Sequence, residues 1–264
     1  MPRFAANLTL MFNEVGFLDR FEAAAKAGFS AVECQLPYAF PADEIAARLR
    51  RFDLPMVLHN LPAGDWDKGE RGIAILPDRV AEFRDGVGKA IAYAKALGCK
   101  QLNCLAGLAP QYLAPEVLRK TFVANLIFAA EALKAEGVRL LTEPINTIDI
   151  PGFFLTRTQQ ALEILDEVGS DNLFVQYDIY HMQIMEGDLA RTVEANLPRI
   201  GHMQLADNPG RHEPGTGEIN YPFLFRHIDR LGYDGWIGCE YKPATTTEEG
   251  LGWFAPFAAK RGNS

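Results

Sequence analysis

Histidine and cysteine are both scarce in this sequence, at five and four among 264 residues. Cys34, Cys104 and Cys239 sit in apolar strand-like runs and Cys99 at a helix–strand junction. No spacing among them resembles a zinc motif or a disulfide framework, which points to reduced, buried thiols. No apolar run approaches the roughly 20 residues of a membrane-spanning helix. The N-terminal MPRFAANLTLMFNEVG has no long apolar core ahead of a small-residue cleavage site, so a cytoplasmic location is expected. Positive charge is short as well: 26 Lys and Arg stand against 34 Asp and Glu, a net charge of −8. That argues against nucleic-acid and membrane partners, which favour a basic stripe. It leaves room for a small anionic substrate, which a few local cations can hold. No Gly-rich phosphate turn is present, so neither a nicotinamide nor a flavin cofactor is expected.

What is present is an ordinary globular composition, 48% hydrophobic and 23% charged, without biased segments. Such a chain can bury a large core, and we expect one domain over residues 1–264. One arrangement recurs: a helical pattern, a glycine, then a short β-rich run. It appears as KAGFSAVECQ, KALGCKQLNC, KAEGVRLLTE, EVGSDNLFVQYD and RLGYDGWIGCE. Glycine suits the left-handed position that ends a helix. Short apolar strands are what parallel strands buried on both faces require. Strands are expected near 4–8, 30–35, 55–60, 100–104, 138–143, 173–178, 199–204 and 235–240. Helices are expected near 15–27, 41–51, 78–97, 115–136, 157–168, 188–196, 221–231 and 247–259. Val80, Phe83, Val87, Ala90, Ile91 and Ala94 form one helical stripe, and Leu118, Phe122, Leu126, Ala129 and Leu133 another. This α/β alternation in about 260 residues predicts a single (β/α)8 TIM barrel. A doubly wound open sheet is the rival, and lacks its Gly-rich turn.

The apolar run Val138, Leu140, Leu141 ends in a carboxylate, Glu143, followed at once by Pro144. An unpaired buried carboxylate costs several kcal/mol, so it needs a cation or a proton-transfer task. Three further runs end similarly, at Asp178, Gln204 and Glu240. Together they offer only hard oxygen donors, suited to Mg2+ or Mn2+ rather than zinc. Strand alternation then places Asn7, Glu33, His59, Asn103, Glu143, Asp178, Gln204 and Glu240 facing inward near the C-terminal strand ends, where barrel active sites form. Three loops share that end: 61–76, 105–113 and 207–218. The first is long enough for a lid or binding loop. The terminal KRGNS reads as a frayed tail.

These features resemble the hydroxypyruvate isomerase family of xylose-isomerase-like TIM barrels. The resemblance spans the whole chain and is carried by NLTLMFNEVGFLDRF, HNLPAGDWDKGERGIA, LLTEPIN, YDIYHMQIMEGDL, GHMQLADNPGRHEPGTGEINY and GWIGCEYKP. It implies a divalent metal on Glu143, Asp178, Gln204 and Glu240, with Glu143 and Glu240 as the acid/base pair. It also implies interconversion of hydroxypyruvate and 2-hydroxy-3-oxopropanoate through an enediolate. Candidate substrate partners are His181 for an oxygen, Arg211 for the carboxylate, His59 on the inward phase, and Trp66 with Arg71 in the long loop. His202 reads as a supporting histidine one layer deeper. The nearest alternatives are a 2-oxo-tetronate isomerase and a ketose 3-epimerase, which would use the same glutamates. A metal-dependent phosphodiesterase or endonuclease would want more histidines and less negative charge. Assembly into homo-oligomers is left open by the apolar outer helix faces.

Overall fold

A computed structural model describes residues 1–259; the expectation for KRGNS lies outside the described residues. The strands are β1 (Arg3–Asn7), β2 (Val32–Glu33), β3 (Met56–Asn60), β4 (Gln101–Cys104), β5 (Arg139–Thr142), β6 (Leu173–Asp178), β7 (Ile200–Leu205) and β8 (Trp236–Cys239). Each pairs in parallel with the next, and β8 closes on β1 to complete the barrel. The helices are α1 (Arg20–Lys26), α2 (Ala42–Phe52), α3 (Val80–Leu97), α4 (Pro115–Ala135), α5 (Thr158–Val168), α6 (Ile179–Met185), α7 (Leu189–Asn196) and α8 (Tyr221–Arg230). No helix among the described residues is long and apolar enough to cross a membrane.

The helices pack on the barrel through the stripes that the sequence displays. Leu118, Phe122, Leu126, Ala129 and Leu133 of α4 are all buried, as are Phe83, Val87, Ala90 and Ala94 of α3. Burying each large side chain contributes roughly 1.5–3 kcal/mol. One expected element differs and one helix, α6, was not expected. The helix expected over 247–259 is a short 3-10 turn over Glu249–Phe254; Gly250 and Gly252 weaken an α-helix there and Pro256 removes a donor. In addition, α6 follows β6 directly, because Asp178 caps it: Asp178 Oδ1 accepts from the backbone N–H of Tyr180 at 2.8 Å and of His181 at 3.4 Å.

Register explains which side chains face the barrel axis. Val32 pairs with Met56 but Glu33 with Leu58, so the β2–β3 ladder slips between neighbouring residues. The slip turns Leu58 and Asn60 inward beside Glu33 and sends His59 to the helix side. Asn60 pairs onward with Asn103, and Asn103 with Leu141, two residues before Glu143. On the last strands Asp178, Gln204 and Gly238 stand level, which carries Glu240 to the same end.

The long loop after β3 is anchored. Ile73, Ala74 and Ile75 are buried, Asn125 Nδ2 donates to the Ala74 carbonyl at 2.8 Å, and Glu70 pairs with Arg79. At its closest approach to the loop after β4, Gly72 lies at φ +116, and an added Cβ would stand 2.4 Å from the Leu105 carbonyl oxygen. Gly72→Ala should therefore cost at least about 2 kcal/mol from backbone strain and overlap together. A lowered denaturation midpoint would register this; an unchanged midpoint would mean that the two loops do not hold each other.

Candidate active site

The C-terminal end of the barrel encloses a cavity of ≈ 80 Å³ whose lining includes Glu143, Glu240, Gln204, His181, Arg211 and Trp66. Above it lies a wider chamber of ≈ 510 Å³ bounded by Arg71, Asp149, Tyr180 and Lys242, with Gln35, Trp66, Ile150 and Arg211 shared between the two. Glu143 immediately follows β5 and Glu240 follows β8, so both backbones leave the sheet at the carboxylate.

Glu143, Asp178 and Glu240 are all buried. Burial, together with the charges of Glu240 and Asp178, holds the Glu143 carboxyl well above the usual carboxylate range. Burial likewise raises Glu240 and Asp178, against the lowering influence of Arg211 on each. The neighbours satisfy only part of this cluster. Glu143 Oε2 accepts from Asn103 Nδ2 at 2.9 Å, and Glu240 accepts from Gln35 Nε2. Asp178 Oδ1 is occupied by the cap of α6, while its buried Oδ2 has no hydrogen-bond partner. Three crowded carboxylates with an unpartnered oxygen fit a hard divalent cation.

Ligand atoms of Glu143, Asp178 and His181 lie within 4.8 Å of one another. The hydrogen bonds of His181 decide what it can contribute. Asn146 Oδ1 accepts from the backbone N–H groups of Ile148 (3.0 Å) and Asp149 (2.7 Å). Its Nδ2 is therefore the end 2.6 Å from His181 Nδ1, and it donates. Burial and the Arg211 charge hold His181 neutral, well below the usual histidine range. Its one ring proton then sits on Nε2, 3.5 Å from Asp178 Oδ2. His181 thus presents a donor to the cavity, which suits a substrate oxygen better than a metal.

Arg211 reaches Asp149 Oδ2 at 3.3 Å and Glu240 Oε2 at 3.5 Å, with its guanidinium 5.1 Å from the Tyr180 ring centroid. Its loop is wound around buried Asp207, whose carboxylate accepts from the backbone N–H groups of Asn208, Gly215, Gly217 and Ile219 at 2.8–3.0 Å. Trp66 borders the cavity, and the Arg71 guanidinium lies 4.0 Å from its ring centroid. Arg71 itself borders only the outer chamber.

His59 does not line the cavity. It faces Tyr38 on the helix side, with Nδ1 3.1 Å from the Asn60 carbonyl, and burial pushes it down to about 4. The slipped β2–β3 register is the reason. Sequence reasoning missed Gln35, Asn60, Asn146, Asp149 and Asp207. Asn146 and Asp207 carried one visible signal, an Asx residue in a polar loop within four residues of a strand end.

The chain matches the model of the family "xylose isomerase-like TIM barrel" over residues 21–257. It is 55% identical to hydroxypyruvate isomerase of Escherichia coli (strain K12), across 97% of this chain and 100% of that one. It is 51% identical to 2-oxo-tetronate isomerase of Cupriavidus necator, across 98% and 100%. Among solved structures, AP endonuclease, family 2 from Brucella melitensis superimposes with a TM-score of 0.96 at 48% identity, covering 98% of this chain and 100% of that one. Closed barrel, full-length identity and family model agree: the chain belongs to the xylose isomerase-like TIM barrel family, in the group that holds the hydroxypyruvate isomerase and 2-oxo-tetronate isomerase relatives.

Proposed function

We propose that the chain is a divalent-metal-dependent isomerase interconverting hydroxypyruvate and 2-hydroxy-3-oxopropanoate, with Glu143 and Glu240 as the proton-transfer pair. The observation that carries the reading is the pair itself: two buried glutamates of raised pKa lining one small cavity with a neutral histidine and an arginine. The 55% identity to the Escherichia coli hydroxypyruvate isomerase supports the substrate.

The reaction moves a carbonyl by one carbon. One glutamate takes a proton from carbon three, leaving an enediolate, and a proton is delivered to carbon two while the oxygen protons rearrange. A carboxylate of raised pKa is the stronger base, and positioned acid/base groups are typically worth about 10²–10⁴-fold. His181 Nε2–H donates to a substrate oxygen, Arg211 meets the substrate carboxylate, and Trp66 limits access of bulk water. Glu143, Asp178, Gln204 and Glu240 would hold the ion, Mg2+ or Mn2+ by the hardness of their oxygens. Bound there, it supplies Lewis-acid stabilisation of the developing negative charge.

A four-carbon 2-oxo acid is the second reading. The wider chamber directly above the cavity, with Arg71 and Lys242 on its wall, offers space for the extra carbon, and the 51% identical relative is a 2-oxo-tetronate isomerase. DNA cleavage, suggested by the name of the Brucella melitensis protein, finds no support in a net charge of −8.

Two outcomes are expected. With Mn2+ or Mg2+ the protein should turn over hydroxypyruvate, detected through a coupled reductase, and chelator should abolish it. Turnover confined to a four-carbon 2-oxo acid would transfer the assignment to the second reading. Glu240→Gln should lower kcat by about 10²–10⁴-fold and abolish exchange of the substrate proton with solvent; retained exchange would remove Glu240 from the pair.

The metal-free protein should also respond to pH. A carboxyl whose pKa is raised on folding adds stability below its unfolded pKa, and that stability is lost as pH rises through the folded value. With Glu143, Asp178 and Glu240 all raised, chelated protein should melt lower as pH climbs from about 4 towards neutrality. Mn2+ at a hundredfold excess over its Kd should add about 2.7 kcal/mol, with the larger gain at the higher pH. A melting temperature that ignores Mn2+ at both pH values would count against the metal site.

A further inference from the structure

Beneath the cavity lies a second layer of buried polar groups that the proposed reaction does not touch. Glu33 is fully buried, and its two oxygens take three hydrogen bonds: Asn7 Nδ2 at 2.9 Å, Gln204 Nε2 at 2.7 Å and His202 Nε2 at 2.7 Å. The direction of each follows from groups that can only donate. Asn7 Oδ1 accepts from the Thr9 backbone N–H at 3.1 Å, so Nδ2 is its end at Glu33. Deeper in the barrel, Arg139 Nη2 donates to Gln101 Oε1 at 2.9 Å. Gln101 Nε2 is then the group 3.0 Å from His202 Nδ1, and it donates. Acceptance at Nδ1 leaves the His202 proton on Nε2, directed at Glu33.

Glu33 therefore offers its neighbours acceptors, and the Gln204 amide fits it in one orientation. Its Nε2 points to Glu33, and Oε1 is turned the other way, 2.6 Å from Gln176 Nε2. The fold makes room for this acid: an added Cβ at Gly238 would stand 2.2 Å from both Glu33 oxygens. A carboxylate inserted against a strand glycine, with three donors converging on it, is a built feature rather than a chance burial.

We propose that Glu33 is a positioning residue. Its carboxylate, oriented through Arg139, Gln101 and His202, locks the Gln204 amide so that the carbonyl oxygen faces away from Glu33, beside Gln176 Nε2, with its second lone pair left to ligate a cation. This rests on the reading of Gln204 as a metal ligand.

The test is titration of the full-length protein with Mn2+, followed by electron paramagnetic resonance, beside a melting curve. Glu33→Gln replaces an obligate acceptor with an amide that also donates, so Gln204 loses its fixed orientation. Mn2+ affinity should fall on the order of 10–100-fold, the range for partners that orient metal ligands. The double variant Glu33→Gln/Gln204→Glu restores a donor–acceptor pair between positions 33 and 204, at the expense of the Asn7 bond, and presents a carboxylate oxygen; it should regain about tenfold or more of the lost affinity. A merely structural role would lower the melting temperature of the single variant and leave Mn2+ affinity of the folded protein unchanged, which would overturn the proposal. A folded double variant that binds no better than the single one would do the same. Should Glu33→Gln fail to fold, the double variant decides against wild type: near-normal affinity supports the orienting role, and absent binding overturns it. Wild-type protein that takes up no Mn2+ would remove the metal reading and this inference with it, whatever its turnover.

Discussion

The constraint on which the rest depends is the crowding of Glu143, Asp178 and Glu240 in one buried space. Glu240 and Asp178 raise the proton affinity of Glu143, Asp178 raises that of Glu240 as well, and burial raises all three. Left unpaired, such a cluster would cost several kcal/mol to bury. It is held by donors from every side: Asn103 on Glu143, the α6 cap on Asp178, Gln35 and Arg211 on Glu240. The same donors keep the carboxylates from rotating away, so the surroundings that make the cluster tolerable also make it precise in direction. Satisfaction is incomplete at one atom, Asp178 Oδ2, and that residual deficit is the physical argument for a cation.

Support for the site comes from backbone devices more than from side-chain bulk. Asp207 gathers four backbone N–H groups and so fixes the loop that carries Arg211. Asn146 does the same on a smaller scale, and the turn it makes leaves its amide N–H aimed at His181. Both are short polar residues placed at the first turn beyond a strand, where the chain must change direction and its donors would otherwise lack partners. The loops are therefore rigid where they meet the cavity, in keeping with a site that selects among small acids by shape and charge.

Much of the barrel was legible because both of its periods are written in the chain. Short apolar runs, helical stripes and terminating glycines located the strands and most helices. The acids at the strand ends stood out because a charge rarely closes an apolar run without cause. What failed had specific reasons. His59 was assigned by simple alternation, and alternation does not survive the slip between Val32 and Glu33. The final helix was expected over 247–259, but Gly250, Gly252 and Pro256 work against an α-helix locally. Asp149 and Gln35 were invisible because each acts across the barrel on a residue far away in sequence, Asp149 on Arg211 and Gln35 on Glu240. No periodicity encodes such pairings.

Arg211 deserves its central place for a reason that only the assembled geometry reveals. Its charge lowers the proton affinity of Glu143, Asp178 and Glu240 together, while Asp149 and Tyr180 hold it from the solvent side. On the proposed reading the substrate carboxylate pairs with this same guanidinium. Pairing spends part of the positive field on the substrate and leaves less of it on the glutamates. Their basicity then rises when a carboxylate-bearing substrate is in place and falls when it leaves. A neutral sugar of similar size would fill the cavity without that effect, so the arginine favours acids twice, once in binding and once in the strength of the base that follows.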